Sequence, residues 1–368
     1  MRYGGGMRIQ KRGLAATVAG LAGFAIVAFG LTASAPSASA AACQVAAAGD
    51  IAENGGQQQH TGDQIRSLNP QYVLPLGDIA YDSGTTAEFA SWYNPAWGSF
   101  KGITRPTPGN HEYETAGAAG YFAYFAGQVG TSAYYAFDVC GWRLYSLNSE
   151  LTGTARTTML TWFAADAAAH STQPGIAYWH KPRWSDGDSH GNDTVQQDLF
   201  AAAANAHMKM VLNGHDHVYE RFAEMNSSGV AAAGGTREFI VGTGGAGLNG
   251  FDGSYPSTSQ ARVQGSNGVM LLTLRSNGYD WKFSDWDGSA SDAGSLNWSV
   301  VTPTVSVTPT VSVTPTVTPT SCAPTTVTAP AVTSTVTVTA PAATVTKTVT
   351  ASGTPFLATM TGLVTPPA

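Results

Sequence analysis

Five short apolar runs in this chain each stop at a residue type that binds metal ions, and this series constrains the fold more than any other feature. Residues 44–48 run into Gly49-Asp50. Residues 72–76 run into Gly77-Asp78, with Tyr81 three positions on, and 104–108 into Gly109-Asn110-His111. Residues 175–179 end at His180, and 208–212 at Asn213-Gly214-His215, with His217 two positions beyond. Short apolar runs bounded by turn residues read as buried strands. Chelating residues at strand ends converge on one sheet edge, where the backbone fixes their positions. Singly the pieces say little, because a Gly-Asp pair is usually a turn and Asn110-His111 reads as a capped loop. His215-x-His217 says more, since alternate residues of an extended chain share a face. The ordered set of five is specific.

Helical stretches lie between these runs. Residues 61–68 place Ile65 and Leu68 on one face, and 157–169 and 195–205 are Ala-rich with helical spacing of Leu, Trp and Phe. Residues 134–139 and 142–147, joined by Cys140-Gly141, predict a hairpin. Residues 238–241, 269–274 and 279–284 predict later strands, with a turn at Ser276-Asn277-Gly278. Alternation early and strands late predict a mixed α/β domain.

Carboxylates, imidazoles and an amide together suit Fe, Zn or Mn better than an all-oxygen calcium site. One ion takes about four to six ligands. Seven donors (Asp50, Asp78, Tyr81, Asn110, His180, His215 and His217) therefore fit two ions if one carboxylate bridges. Two ions about 3.5–4 Å apart are a standard device for in-line phosphoryl displacement. They also supply positive charge that the chain lacks. Residues 43–298 hold all 24 acidic residues and 13 of the 18 basic ones, a formal −11. That field repels polyanions and offers no counterion-release drive, which argues against nucleic acid as a partner.

The series Gly49-Asp50, Gly77-Asp78-Ile79-Ala80-Tyr81, Gly109-Asn110-His111-Glu112, Tyr178-Trp179-His180 and Gly214-His215-Asp216-His217 resembles the calcineurin-like metallophosphoesterases. Tyr81, three residues after the second aspartate, is similar to the purple acid phosphatases within that superfamily, and Val218-Tyr219-Glu220-Arg221-Phe222 resembles the stretch after the last motif. The resemblance covers about residues 43–286. It implies an α/β fold in which two β-sheets pack as a sandwich flanked by helices, with metals at the strand ends. It implies Fe(III) held by Asp50, Tyr81, His217 and a bridging Asp78. A divalent Fe, Zn or Mn would be held by Asp78, Asn110, His180 and His215. His111 matches the histidine that contacts substrate phosphate. Plant members carry a His-His pair nine and ten residues after the fourth-motif histidine. Here those positions are Ser189 and His190, which makes His190 the candidate acid for the leaving alkoxide. The chain departs from the pattern at Ser189 and at Asp50-Ile51-Ala52, which lacks the usual following glycine. No N-terminal β-sandwich domain like that of the large plant enzymes is expected before Cys43. The implied activity is hydrolysis of small phosphate monoesters by in-line attack of a metal-bound hydroxide. A phosphodiesterase or phospholipase on the same scaffold is the first alternative, because the fold does not choose between esters. A non-catalytic cell-wall protein is the second.

The flanks have their own character. Residues 1–40 read as an export signal: Arg8, Lys11 and Arg12, then 18 uncharged, mostly apolar residues at 14–31, then Ala38-Ser39-Ala40. Met7 is a second candidate start. An uncleaved anchor and a lipid anchor at Cys43 are the alternatives. Export places the protein in an oxidising space, secreted or at the cell surface, where Cys43 and Cys140 can pair. Sequence alone leaves that pairing open. Residues 299–368 carry one charge, Lys347, and a repeat that starts Val301-Thr302-Pro303-Thr304-Val305-Ser306. Frequent proline and few large side chains predict a disordered low-complexity stalk, suited to cell-wall association. Cys322 stands alone in it. The glycine-rich run 242–247 is expected to be a plain turn, with approach to phosphate as the alternative reading. Lys181 and Arg183 either steer anions or are solvated. His60, His170 and His207 are expected at the surface or at helix ends, and Trp179 and Trp184 in packing.

Overall fold

Apolar runs that end at glycine become strands whose C-terminal ends meet along one seam. The computed structural model describes residues 42–299 apart from 254–255, together with the backbone of three stretches further on. The expected export signal and Cys322 lie outside the described residues. Five strands form one sheet in the order β12-β11-β10-β1-β2, with β1 (Cys43–Ala48), β2 (Tyr72–Pro75), β10 (Gly268–Arg275), β11 (Gly278–Asp285) and β12 (Ser291–Asn297). Within it β1 and β2 are parallel and the other pairs antiparallel. The second sheet runs β3-β4-β5-β6-β8-β7-β9. Its strands are β3 (Tyr135–Val139), β4 (Trp142–Ser146), β5 (Gly175–Tyr178), β6 (Met210–Asn213), β7 (Tyr219–Met225), β8 (Thr236–Val241) and β9 (Ser259–Val263). Strands β4, β5, β6 and β8 are parallel neighbours. The helices are α1 (Gln58–Leu68), α2 (Thr86–Glu88), α3 (Asn94–Trp97), α4 (Asn110–Glu114), α5 (Ala119–Tyr124), α6 (Gly153–Ala169) and α7 (Gln197–Asn205).

The central strands of the second sheet are buried on both faces, as parallel strands covered by layers must be. Ile176, Tyr178, Met210, Leu212, Phe239 and Val241 enter the core shared with Val45, Leu74 and Leu272 of the first sheet. Their alternates Ala177, Val211 and Ile240 face Met159 and Phe163 of α6 and Leu199 and Phe200 of α7. Trp179 is fully buried in that outer layer, against which Trp184 also packs. This is the two-sheet sandwich with flanking helices that the resemblance implies. At the seam, the Gly49 N–H donates to the Val241 carbonyl (2.8 Å) and the Asp50 N–H to that of Gly77 (3.1 Å). Cys43 and Cys140 form a disulfide that ties the start of β1 to the β3–β4 turn. Cys140 and Gly141 both have positive φ (50° and 85°), as a two-residue turn of this hand requires.

Two parts of the domain differ from the sequence reading. Residues 104–108 are extended but form no full strand. They meet β2 and the residue after it in two isolated parallel bridges, Val73 with Thr104 and Leu76 with Thr107, because Pro106 and Pro108 have no N–H to extend the ladder. Strands β7, β9 and β12 were not anticipated, being rich in charged and polar residues. Of the tail, the described backbone forms β13 (Val305–Ser306), β14 (Val332–Ala340) and β15 (Ala343–Ala351), paired antiparallel. Threonine at every second position over 333–339 and 344–350 is a period-two pattern that suits a strand. Among the described residues no helix is long and apolar enough to cross a membrane.

Candidate metal centre

Asp50 and Asp78 follow β1 and β2 of the first sheet; His180, His215 and His217 follow β5 and β6 of the second. Asp50, Asp78 and His215 all hold left-handed backbone conformations (φ 59°, 47° and 74°). For residues with a Cβ this is strained, and such strain concentrates at working sites. Gly77 shows why a glycine precedes Asp78: a Cβ there would stand 2.5 Å from the His180 ring. Asn110 and His111 open α4 rather than end a strand.

The geometry divides into two groups that share one oxygen. The Tyr81 hydroxyl donates to Asp50 Oδ1 (3.0 Å) and lies 3.1 Å from His217 Nε2, which is 3.2 Å from Asp50 Oδ1. The same hydroxyl is 3.4 Å from Asp78 Oδ2. On the other side, Asp78 Oδ2 is 3.0 Å from His180 Nε2, which is 3.2 Å from His215 Nδ1. Ligand atoms of Asp78, His180 and His215 all lie within 4.8 Å of one another, close enough to hold one metal ion. Asn110 Oδ1 is buried without a hydrogen-bond partner.

The electrostatics call for cations. Asp50 and Asp78 are buried, and the groups recorded around them are imidazoles, a phenol and backbone N–H. Burial works against charge on both members of the Asp78–His180 pair, yet their mutual attraction wins. It pulls Asp78 well below the carboxylate range and lifts His180 to about 10. His217 is likewise opposed by burial but raised to about 9 by Asp50. Burial, then the charge on His180, keeps His215 neutral, leaving a free imidazole lone pair. Burial and the two carboxylates push the Tyr81 phenol well above its ordinary value of 10.0, so it becomes a ligand when a strong Lewis acid displaces its proton. Protonated imidazoles, an orphaned amide oxygen and a suppressed phenol all fit a place for metal ions.

Further residues hold these donors in place, which sequence reasoning did not anticipate. Nδ1 of His180 meets the Leu76 carbonyl (2.9 Å), and Nδ1 of His217 meets that of Gly247, so each Nε2 turns to the centre. The glycine-rich run thus backs His217, and its Ala246 N–H donates to the Asp50 carbonyl (3.0 Å). Glu112, fully buried, accepts from the N–H groups of Gly109 (2.8 Å) and Ile79 (2.8 Å) and so locks α4 to the Asp78 loop. Its signal was the glutamate three residues after Gly109, a capping-box spacing. The His111 N–H donates to Asp78 Oδ1 (2.9 Å), and its Nε2 stands 3.8 Å from Oδ2. His190 is exposed, and its ring stacks on that of His215 with centroids 4.0 Å apart. Ser189 is exposed beside it. Lys181 pairs with Glu150 (2.7 Å), and Arg183 lies 3.7 Å over the Trp184 ring, so neither is simply solvated. His60 and His207 are exposed, and His170 caps α6.

Residues 44–219 match the family model for calcineurin-like phosphoesterases. Purple acid phosphatase 22 of Arabidopsis thaliana is 26% identical over 196 residues, which cover 45% of this chain and 43% of that protein. Purple acid phosphatase 21 of the same plant is 26% identical over 204 residues, covering 49% and 45%. This chain therefore spans less than half the length of the curated relatives it matches. Among solved structures, purple acid phosphatase PPD1 from yellow lupin seeds superposes with a TM-score of 0.62 at 19% identity, over 70% of this chain and 54% of that one. GAP50, the anchor in the inner membrane complex of Plasmodium, gives 0.56 at 15% identity, over 70% and 90%. Both structural likenesses are of fold.

Proposed function

We propose that this chain, a calcineurin-like phosphoesterase of purple acid phosphatase type in its residues 44–219, is an exported two-metal hydrolase of small phosphate monoesters. The observation that carries this reading is the pair of donor groups sharing Asp78 Oδ2, and Asn110 Oδ1, buried without a hydrogen-bond partner, is a further donor. Asp50, Tyr81 and His217 would hold one ion, and Asn110, His180 and His215 the other, with Asp78 common to both. The anionic first set suits Fe(III) and the largely neutral second set a divalent Fe, Zn or Mn. When bound, such ions supply the nucleophile and offset charge on the phosphoryl oxygens. The chain's own residues do the rest. His111, fixed through its N–H on Asp78, points Nε2 at the shared carboxylate and can donate to a phosphoryl oxygen arriving there. His190, exposed above His215, gives a proton to the leaving-group oxygen.

Export is supported by the Cys43–Cys140 disulfide, a bond that persists in oxidising compartments. We place the protein in the secreted or cell-surface pool, with residues 299–368 as its link to a cell wall. The test is metal analysis of the purified chain alongside phosphate release across pH from p-nitrophenyl phosphate and from its bis ester. Two ions per chain and faster turnover of the monoester are expected. Faster turnover of the bis ester would make the protein a diesterase. A chain that binds no metal and releases no phosphate would be a non-catalytic member of the fold.

A further inference from the structure

We propose that Asp216, the residue between the two histidines of His215-Asp216-His217, is the positioning residue that seats the His190 loop over the metal centre. This rests on the phosphoesterase reading of the site, because it assigns His190 a proton to give. The triplet bends sharply: His215 holds a left-handed backbone (φ 74°), the Asp216 N–H donates to the Gly214 carbonyl (3.0 Å) and the Val218 N–H to that of Asp216 (2.7 Å). His215 and His217 face the centre; Asp216 is fully buried behind them. Its carboxylate collects donors from one loop. The His190 N–H donates to Oδ1 (3.1 Å), and the Gly191 N–H (3.1 Å) and the Ser185 hydroxyl donate to Oδ2. A side chain at Gly187 would stand 2.5 Å from the Asp216 carboxyl carbon, so the loop backbone lies directly on the carboxylate.

The consequence is mechanical. Asp188, Ser189 and His190 are exposed; Asp188 is tied to Gly250 by two hydrogen bonds (3.0 and 3.1 Å), which leaves the amides of His190 and Gly191, further along the tip, to Asp216. A buried carboxyl is stable only with its hydrogen bonds made, and here three donors make them. Asp216 therefore fixes the two amides at the tip, and the His190 ring comes to rest on His215 with an interplanar angle of 23°. One residue step of backbone thus links the grip on the centre to the grip on the proton donor. Removing the carboxylate should free His190 while leaving the ligand side chains in place.

The experiment uses the full chain and the variants Asp216→Ala, Asp216→Asn, His190→Ala and the Asp216→Ala/His190→Ala double. Three quantities are read: metal per chain, hydrogen exchange of the amides at 190 and 191, and kcat/KM on p-nitrophenyl phosphate and on an alkyl phosphate. Asp216→Ala should keep its metal and lose protection at both amides. It should lose about 10²-fold on the alkyl ester, which needs the proton, and far less on the aryl ester, which does not. In the His190→Ala background it should cost little more, since residues acting as one unit are not additive. Asn, which keeps one acceptor oxygen, should fall between. Loss of metal, equal losses on both esters, additive losses or unchanged exchange would each overturn the proposal. If Asp216→Ala does not fold, Ser185→Ala removes one of the three donors without touching the ligand segment. It should show a smaller loss with the same ester selectivity, and a loss without selectivity overturns the idea. If the wild-type chain cleaves neither ester, the functional reading fails, whereas the exchange measurement still decides whether Asp216 holds the loop.

Discussion

The two donor groups of the centre are built from opposite materials. One brings Asp50, Tyr81 and His217 together, a carboxylate and a phenol with one imidazole; the other brings together the two imidazoles of His180 and His215, to which we assign the Asn110 amide. With ions bound, the first set would be anionic through its carboxylate and phenolate, and the second would be neutral. Asp78 Oδ2 lies against side chains of both. Each group also draws on both sheets, since Asp50 and Asp78 follow strands of the first and the three histidines follow strands of the second. The centre is therefore a property of how the sheets meet, and its two halves should answer differently to substitution.

The largest effect belongs to the shared oxygen. Asp78→Ala should cost both ions and lower kcat/KM by at least about 10³-fold, the scale of losing a main charge-stabilising element. Metal analysis decides it: two ions retained in the variant would remove the bridging role and with it the comparison. Asn110→Ala should act on one side only. It removes a neutral donor whose oxygen has no other partner, so the divalent ion should bind about 10–10²-fold more weakly while the first ion stays. Equal weakening of both ions would show that the halves are not separable.

A third test sets the centre against a buried carboxylate elsewhere. Asp78 meets a histidine and is held ionised; Glu238 of β8, fully buried, has no such partner. Its Oε1 accepts the Arg183 N–H (3.1 Å), Oε2 has no partner, and burial raises it from 4.5 to about 8. A carboxyl whose folded pKa is raised keeps its proton while the unfolded chain releases it, so stability falls as pH rises. For Glu238 the loss builds from about 4.5 to about 8 and then levels. Glu238→Gln should flatten that decline, with Tm above wild type at pH 8 by about 2–4 °C for each kcal/mol recovered. Parallel Tm–pH curves for the two proteins would rule out Glu238 as the source of the slope.

The same contrast explains what could be read in advance. Ligand residues at the ends of β1, β2, β5 and β6 were legible because an apolar run and its polar stop are local signals. Strand β7 was not, because Tyr219-Glu220-Arg221 carries charges whose strand state comes from pairing with β8 and β9. Residues 104–108 read as extended, correctly, but ladder formation depends on donors that two prolines lack. Glu112 and Asp216 were quoted inside motifs without a role. Their role lies in which backbone N–H groups the fold brings to them, from 33 residues away in one case (Ile79) and 26 in the other (His190).

Tyr81 offers the smallest effect on catalysis and the sharpest separation of the halves. Its phenol is buried and faces Asp50 and Asp78, which push its pKa well above 10.0. A proton is therefore hard to remove there unless a strong Lewis acid takes its place, which Fe(III) does readily and divalent ions do poorly. Tyrosinate on Fe(III) absorbs visible light by charge transfer, so iron-loaded, oxidised protein should be coloured. Tyr81→Phe should lose that band and remain folded, because the ring keeps its packing and only a hydroxyl goes. Phosphatase activity should survive in part, since Asp50, Asp78 and His217 remain as donors on that side. The band should persist in Asn110→Ala, whose missing donor belongs to the other half. A native protein that is colourless and holds only Zn or Mn would remove the phenolate–iron assignment and leave Tyr81 as a hydrogen-bond donor to Asp50. Loss of colour in both variants would instead mean that the two halves bind their ions as one unit.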